Sequence, residues 1–302
     1  MKNIDIRDSL FDEIYKLIKK DKKVLLLVVD QGAFGLEKIK KHFPKNIILC
    51  PVSEQNIINF AGGLALAGFK PYVYLIASFL LRSLEQIKIN LSISRLNIKL
   101  IGSGPGFTYA SDGPTHYFTE DFGIFKNFEN INCYTTHDSN SAKKCIKESY
   151  FMKIPTYISL EKSSFPNLNH SYKKDVTEVL KGNNNLIITR GYLSQKFWRL
   201  INEKNKIRNK FGLAVVTKIL PFRINHLTHL ISKYKNVYFF EESRKESSFY
   251  EYVIDELKKK NPKKNFKFFC LKKMHHNLAG NRETILKTNN LDDKSLRRLL
   301  NE

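Results

Sequence analysis

The chain has 302 residues, of which 42% are hydrophobic and 12% aromatic, and it carries a formal net charge of +22 at pH 7. This length and apolar content exclude a disordered chain and favour two folded domains. The lysines and arginines are spread along the whole sequence, without a helix-turn-helix, RRM or zinc-finger motif, so we expect no nucleic-acid partner.

The N-terminal segment and the cysteines favour a cytoplasmic protein. No run of about 18 apolar residues occurs, and the start MKNIDIRDSLFDEIYKLIKKDKK is too charged for a secretory signal. The four cysteines form neither a CxxC pair nor a metal-ligand spacing. We therefore expect no disulfide, no zinc and no membrane contact.

In chain order, short apolar runs alternate with amphipathic segments. The runs of the first half predict strands from KVLLLVVD (23–30) to PTYISL (155–160), with helices between them that include FLLRSLEQIKINLSI (79–93). The polar stretch 166–182 is predicted to be a linker, after which the alternation restarts. The predicted fold class is α/β, with two domains at 1–165 and 183–302, each a mostly parallel sheet flanked by helices.

Polar residues follow the predicted strands at three places: Asp30, Glu54 with Gln55, and the loop GSGPGFTYASDGPTHYFTED (102–121). Because ligands bind beyond the carboxyl ends of parallel strands, these residues are candidates for one site. The loop is long and rich in turn residues, so it can fold over a ligand. From the residues alone, a helix-capping acid is the better interpretation of Glu54, and an ordinary turn remains possible for the loop.

Several ordered motifs resemble the C-terminal part of transketolase. VSEQNIINFAGGLALAGFKPYVY (52–74), SFLLRSLEQI (78–87) and DGPTH (112–116) are similar to its Glu-Gln helix start, its aromatic cofactor segment and its substrate loop. The resemblance continues through 220–243 and 289–300, and so covers nearly the whole chain. It implies a pyrimidine-binding domain followed by a transketolase C-terminal-like domain, as in the separately encoded second subunit of split transketolases.

The resemblance implies a catalytic role for Glu54. In this family the matching glutamate hydrogen-bonds N1′ of the thiamine-diphosphate aminopyrimidine, which favours the tautomer whose 4′ nitrogen deprotonates thiazolium C2. Apolar neighbours would suit the carboxyl to this exchange. Phe79 matches the aromatic residue that stacks on the pyrimidine, and Gln55 and Asp30 are also expected to bind the cofactor.

The resemblance also implies substrate contacts. Asp112 and His116 match positions that contact the sugar, and His116 would donate to a developing alkoxide. Arg7 matches an arginine that reaches the substrate phosphate, although a surface arginine is the alternative. Gly104 and Ser159 stand where many family members carry a histidine and an arginine, which argues against a standard pentose-phosphate substrate.

We therefore expect the pyrimidine-binding subunit of a thiamine-diphosphate and Mg²⁺ dependent enzyme that transfers a two-carbon ketol unit from a ketose to an aldose. The sequence lacks the family's GDG motif with its downstream Asn, which supplies Mg²⁺ ligands. We expect no metal ligand in this chain, and a separately encoded diphosphate-binding partner in a heterotetramer. The alternatives are a subunit like 1-deoxyxylulose-5-phosphate synthase, a 2-oxoacid dehydrogenase β-type subunit, or a non-catalytic regulatory or scaffold subunit.

Overall fold

The computed structural model describes residues 4–29, 32–168, 171–272 and 279–301. The chain divides into two compact units, Met1–Pro105 with Ile124–Asn167, and Gly106–Gly123 with Leu168–Glu302. Each unit contains a mostly parallel sheet flanked by helices, so the predicted α/β class is confirmed. Within the described residues, no helix combines the length and apolar character needed to cross a bilayer.

The first unit is built around parallel strands. Its strands are β1 (Ile4–Asp5), β2 (Val24–Val28), β3 (Ile47–Leu49), β4 (Lys70–Ile76), β5 (Lys99–Ser103), β6 (Asn132–Thr135), β7 (Thr156–Leu160) and β8 (Ser164–Phe165). Its helices are α1 (Ile6–Lys20), α2 (Phe34–His42), α3 (Glu54–Leu66), α4 (Leu84–Ile87) and α6 (Ser139–Met152), while α5 (Asp121–Phe125) spans a boundary between the units.

Six of these strands pair in parallel in the order β6-β7-β5-β4-β2-β3. All residues of β2, β5, β6 and β7 are buried, as expected for strands that are covered on both faces. Helices α1 and α6 pack together, and their apolar side chains form one core with those of β2 and β4. The predicted apolar runs form these strands, and all but the edge strand β3 are largely buried.

The second unit follows the same plan with a smaller sheet. Its strands are β9 (Val176–Leu180), β10 (Asn185–Thr189), β11 (Phe211–Val216), β12 (Lys218–Leu220), β13 (Asn236–Phe240) and β14 (Asn265–Phe269). Its helices are α7 (Tyr192–Asn202), α8 (Asn205–Lys210), α9 (Ile224–Ser232), α10 (Phe249–Lys260), α11 (Arg282–Lys287) and α12 (Asp293–Asn301). Five strands lie in the order β14-β13-β10-β11-β9, where only the pairing of β9 with β11 is antiparallel.

Three features differ from the sequence-based expectations. The predicted linker 166–182 contains strand β9, a mostly half-buried strand at the sheet edge that lies between lysine- and asparagine-containing polar stretches. The predicted helix 79–93 consists of a 3₁₀ turn, helix α4 and a π-helical turn. Residues 106–123, which were assigned to the first domain, group with the second unit because Phe107 and Tyr117 join its core.

Candidate active site

Glu54 is the first residue of helix α3, which follows strand β3. The positive end of the helix dipole favours an acid there, but the side chain is only 1% exposed. Oε2 lies 3.4 Å from Nη1 of Arg82. Oε1 is buried and has no hydrogen-bond partner among the described residues. An unsatisfied buried acceptor costs about 1–3 kcal/mol, so this position favours a ligand that brings a donor.

Phe79 lies near this carboxylate in the same unit. It belongs to the 3₁₀ turn Ala77–Ser83 that follows strand β4, and its ring is half-buried. The Arg82 guanidinium lies 5.0 Å from the centre of the Phe79 ring, within cation–π distance. Arg82 thus links the buried acid to the aromatic ring.

No role for Arg82 was predicted from the sequence. The available signal was its spacing from Phe79, because residues three apart in a helical segment share one face. The side chain is half-exposed, at 55%. A charged group in that position can contact both a bound ring and solvent.

The other predicted cofactor residues are placed differently. Gln55 follows Glu54 on helix α3, but its side chain is exposed. Asp30 lies outside the described residues. Among the residues that are described, no three His, Cys, Asp or Glu side chains converge so as to hold a metal ion.

The DGPTH segment forms two short 3₁₀ turns in the second unit. Gly113 joins them with φ +83°, a left-handed conformation that favours glycine. Asp112 is exposed and His116 is half-buried. The Nδ1 atom of His116 lies 3.0 Å from Thr115 Oγ1, and its ring meets Tyr109 edge-on at 6.2 Å between centroids. The loop thus holds the imidazole and offers the carboxylate to solvent.

Arg7 is engaged within its own helix start. Asp5 caps helix α1 by accepting from the Arg7 backbone N–H at 2.8 Å, and it also accepts from Nη2 at 2.8 Å. Burial lowers the pKa of Arg7, but the hydrogen bond and charge of Asp5 outweigh it, and the net shift is upward. Nη1 lies 3.5 Å from the carbonyl oxygen of Gly32. These contacts hold Arg7 against Asp5, the residue that caps the helix. The predicted phosphate contact stays a prediction.

Gly104 and Ser159 are the two positions that argued against a pentose-phosphate substrate. Gly104 has φ +79° and its N–H donates to Leu160 at 2.8 Å. Ser159 is a buried residue of strand β7. Neither residue can supply a cation to a phosphate.

The family model described as "Transketolase, pyrimidine binding domain" matches residues 2–167. The chain belongs to this family. It is 28% identical over 187 residues to one subunit of an apulose-4-phosphate transketolase of Phocaeicola vulgatus, covering 61% of this chain and 59% of the relative. It is 24% identical over 294 residues to a 1-deoxy-D-xylulose-5-phosphate synthase of Fusobacterium nucleatum, covering 94% of this chain and 48% of the relative.

Solved structures of transketolases share the fold. A split-gene transketolase in an inactive β4 tetramer matches with a TM-score of 0.82 at 17% identity, covering 99% of this chain and 97% of that one. A transketolase mutant of Pichia stipitis matches with a TM-score of 0.79 at 15% identity, covering 100% of this chain and 46% of that one. The chain thus spans about half to three-fifths of the curated relatives above. Its transketolase pyrimidine-binding domain holds Glu54, Phe79 and Arg82.

Proposed function

We propose that this chain is the pyrimidine-binding subunit of a split, thiamine-diphosphate and Mg²⁺ dependent transketolase-type enzyme, which transfers a two-carbon ketol unit between a ketose and an aldose. One observation carries the proposal: in a transketolase pyrimidine-binding domain, Glu54 is buried, and its Oε1 atom has no hydrogen-bond partner in the described part of the chain. A carboxyl oxygen of this kind fits a protonated ring nitrogen, because the new hydrogen bond removes the cost of the unsatisfied acceptor.

Glu54 and Phe79 would contact the cofactor ring in different ways. Glu54 would hold a proton between Oε1 and the aminopyrimidine ring nitrogen, and Phe79 would stack on the ring face. Gln55 and Asp30 stay candidates for the same ring. When it is bound, thiamine diphosphate supplies the carbanion chemistry that cleaves and forms the bond next to a ketose carbonyl.

The loop residues would serve the sugar. His116, held beside Thr115, can donate a hydrogen bond to an oxygen that gains negative charge. Asp112, which is exposed on the neighbouring turn, can accept from sugar hydroxyls. Arg7 is the candidate phosphate contact, provided that it exchanges part of its contact with Asp5. Since Gly104 and Ser159 offer no cation, we propose a substrate other than the common pentose phosphates.

A separately encoded partner would hold the diphosphate and Mg²⁺, in a heterotetramer. Two relatives support this: the P. vulgatus protein is named as one subunit of a transketolase, and the solved split-gene protein is an inactive β4 tetramer. The first unit also exposes apolar side chains on helix α3 and on the adjoining segment 77–93, namely Phe60, Leu81, Ile89 and Ile93. Exposed apolar side chains on adjacent elements are typical of a protein interface.

The test is calorimetric titration of thiamine diphosphate with Mg²⁺, together with a ketol-transfer assay, on this chain mixed with its candidate partner. We expect Glu54→Gln to bind the cofactor and to lose about 10²–10⁴-fold in turnover, the usual loss of a proton-transfer residue. Glu13→Gln is a matched control, since Glu13 is also a buried helix carboxylate, at 4% exposure. No cofactor binding in the mixture would contradict the proposal and favour a non-catalytic subunit.

The second candidate is a decarboxylating transfer like that of 1-deoxy-D-xylulose-5-phosphate synthase. The observation in its favour is that the F. nucleatum synthase aligns with 94% of this chain. Release of CO₂ from pyruvate with an aldose phosphate as acceptor, measured on the same mixture, distinguishes the two reactions.

A further inference from the structure

The loop that carries Asp112 and His116 has its two ends fixed within the second unit. Residues Gly106 and Phe118 form an antiparallel bridge, with N–H to O distances of 2.9 and 3.0 Å. The loop is therefore closed by its own backbone. Phe107 and Tyr117, which flank this bridge, contribute buried rings to the core of the second unit.

Glu242 holds the first end of the loop. Its Oε1 atom accepts from the backbone N–H of Phe107 at 2.8 Å. Arg282 donates to the same carboxylate from Nε to Oε1 at 2.9 Å and from Nη2 to Oε2 at 2.6 Å. This two-bond contact fixes the carboxylate plane, and the Glu242 side chain is only 8% exposed.

The backbone conformation of Gly106 and its lack of a side chain permit this contact. Its φ is +61°, and a Cβ atom added there would lie 2.8 Å from Cδ of Glu242. Both the conformation and the close approach favour glycine. The backbone at the start of the loop is thus fitted to the Glu242 carboxylate.

Glu241 holds the other end through an arginine. Arg190 donates to Asp121 at 3.2 Å and to Glu241 at 3.1 Å. The three side chains are 10% exposed or less. Glu241 also accepts from the N–H groups of Phe249 and Tyr250, at 3.0 and 2.8 Å. Since Asp121 ends the loop, the two neighbouring glutamates after strand β13 reach opposite ends of it.

We propose that Glu242, fixed by Arg282, is a positioning residue that holds the substrate loop Gly106–Gly123 in its working geometry, with Glu241 and Arg190 holding the far end. The effect on catalysis rests on the proposed function, whereas the effect on the loop does not. Side chains that act on a reacting group must be held to within about 0.5 Å. The second unit supplies that rigidity to Asp112 and His116.

The experiment compares Glu242→Gln with Glu242→Met in the full chain. Both remove the charge that pairs with Arg282, and both have a similar size. Only glutamine keeps an oxygen that can accept from the Phe107 N–H. Glu203→Met is the control, because Glu203 also pairs with arginines of the second unit, Arg199 and Arg297, on a surface without loop contacts among the described residues.

Amide hydrogen exchange in the loop is the first readout, and it needs no partner or substrate. We expect Glu242→Met to speed exchange of the Phe107 amide by about tenfold, which corresponds to ~1.4 kcal/mol, while Glu242→Gln stays within about threefold of wild type. Circular dichroism checks that both variants are folded. Equal exchange in the two variants, or no change in either, would overturn the proposal.

The second readout is steady-state kinetics with the partner subunit. We expect Glu242→Met to raise KM for the sugar by about tenfold and to leave cofactor affinity unchanged, with glutamine restoring most of the loss. If exchange changes as expected but no ketol transfer occurs with any sugar, the proposed function fails and the positioning role stands. If transfer occurs and the loop does not respond, the positioning role fails alone.

Discussion

Two buried glutamates, Glu54 and Glu241, each 1% exposed, differ in how their oxygens are satisfied. Glu241 accepts from Arg190 and from two backbone N–H groups. Glu54 has one partner at 3.4 Å, and its Oε1 atom has none among the described residues. A buried charge that is fully satisfied is costly to deprive of a partner, whereas an unsatisfied one marks a place where a ligand can add the missing contact.

The largest expected effect comes from breaking the satisfied cluster. Arg190→Met leaves Asp121 and Glu241 buried without their cation, so we expect a loss of about 3–5 kcal/mol in the free energy of unfolding. Urea denaturation measures it. Arg199→Met, which removes an arginine that is 48% exposed and also pairs with two acids, should cost less than about 1 kcal/mol. Similar losses in both variants would show that the buried cluster contributes no more to stability than the exposed ion pairs of Arg199.

A buried amine, for which the described residues supply no carboxylate contact, extends the comparison to basic groups. Lys99 begins strand β5 with 1% exposure and hydrogen-bonds to Asn97 and to the Ile154 carbonyl. Burial, with a smaller contribution from the charge of Lys70, lowers its pKa from 10.5 to about 7. Between these two values the unfolded chain holds a proton that the folded chain lacks, so stability rises with pH across this window.

We therefore expect Lys99→Met to stabilise the protein by about 1–2 kcal/mol at pH 7, because the desolvation cost of the amine disappears. The advantage over wild type should fall by up to ~1.4 kcal/mol per pH unit above pH 7, and so disappear or change sign by pH 9. Urea denaturation at both pH values measures it. A difference that is independent of pH would contradict the shifted titration.

The smallest expected change in the free energy of unfolding comes from the candidate site. Arg82→Met should cost about 1 kcal/mol of stability, since the buried Glu54 carboxylate loses its one described partner. In the Glu54→Gln background the same change should cost less than about 0.5 kcal/mol, and Glu54→Gln alone should be nearly neutral. The double-mutant cycle is measured by urea denaturation. A coupling of zero would mean that Arg82 and Glu54 do not interact.

The sheets were predictable because their strands are local apolar runs, such as Val24–Val28 and Thr156–Leu160, that burial on both faces requires. The position of Glu54 at a helix start was also predictable, because it too follows from the local sequence. Its unpartnered oxygen was not, since this depends on which side chains surround it in space. Strand β9 was missed because it is only five residues long and lies between polar stretches that have the composition of a linker.

The placement of the loop was beyond sequence reasoning. Phe107 and Glu242 are 135 residues apart, and no periodic pattern connects residues at that separation. Asp121 and Arg190 are 69 residues apart, and their spacing likewise does not predict that they are in contact. The run EESRKESSF (241–249) follows strand β13, and its first two glutamates hold the loop ends, Glu242 directly and Glu241 through Arg190.

The distance between Phe107 and Glu242 has a consequence for biosynthesis. The loop leaves the ribosome 135 residues before Glu242 does, and Arg282 follows 40 residues later. At about 5–20 residues per second, the nascent loop waits for roughly 10–30 s before its anchors are translated. We expect the loop to reach its final shape only after Arg282 has been translated, so a chain that stalls before Glu242 would contain every residue of the DGPTH segment without the geometry that it needs.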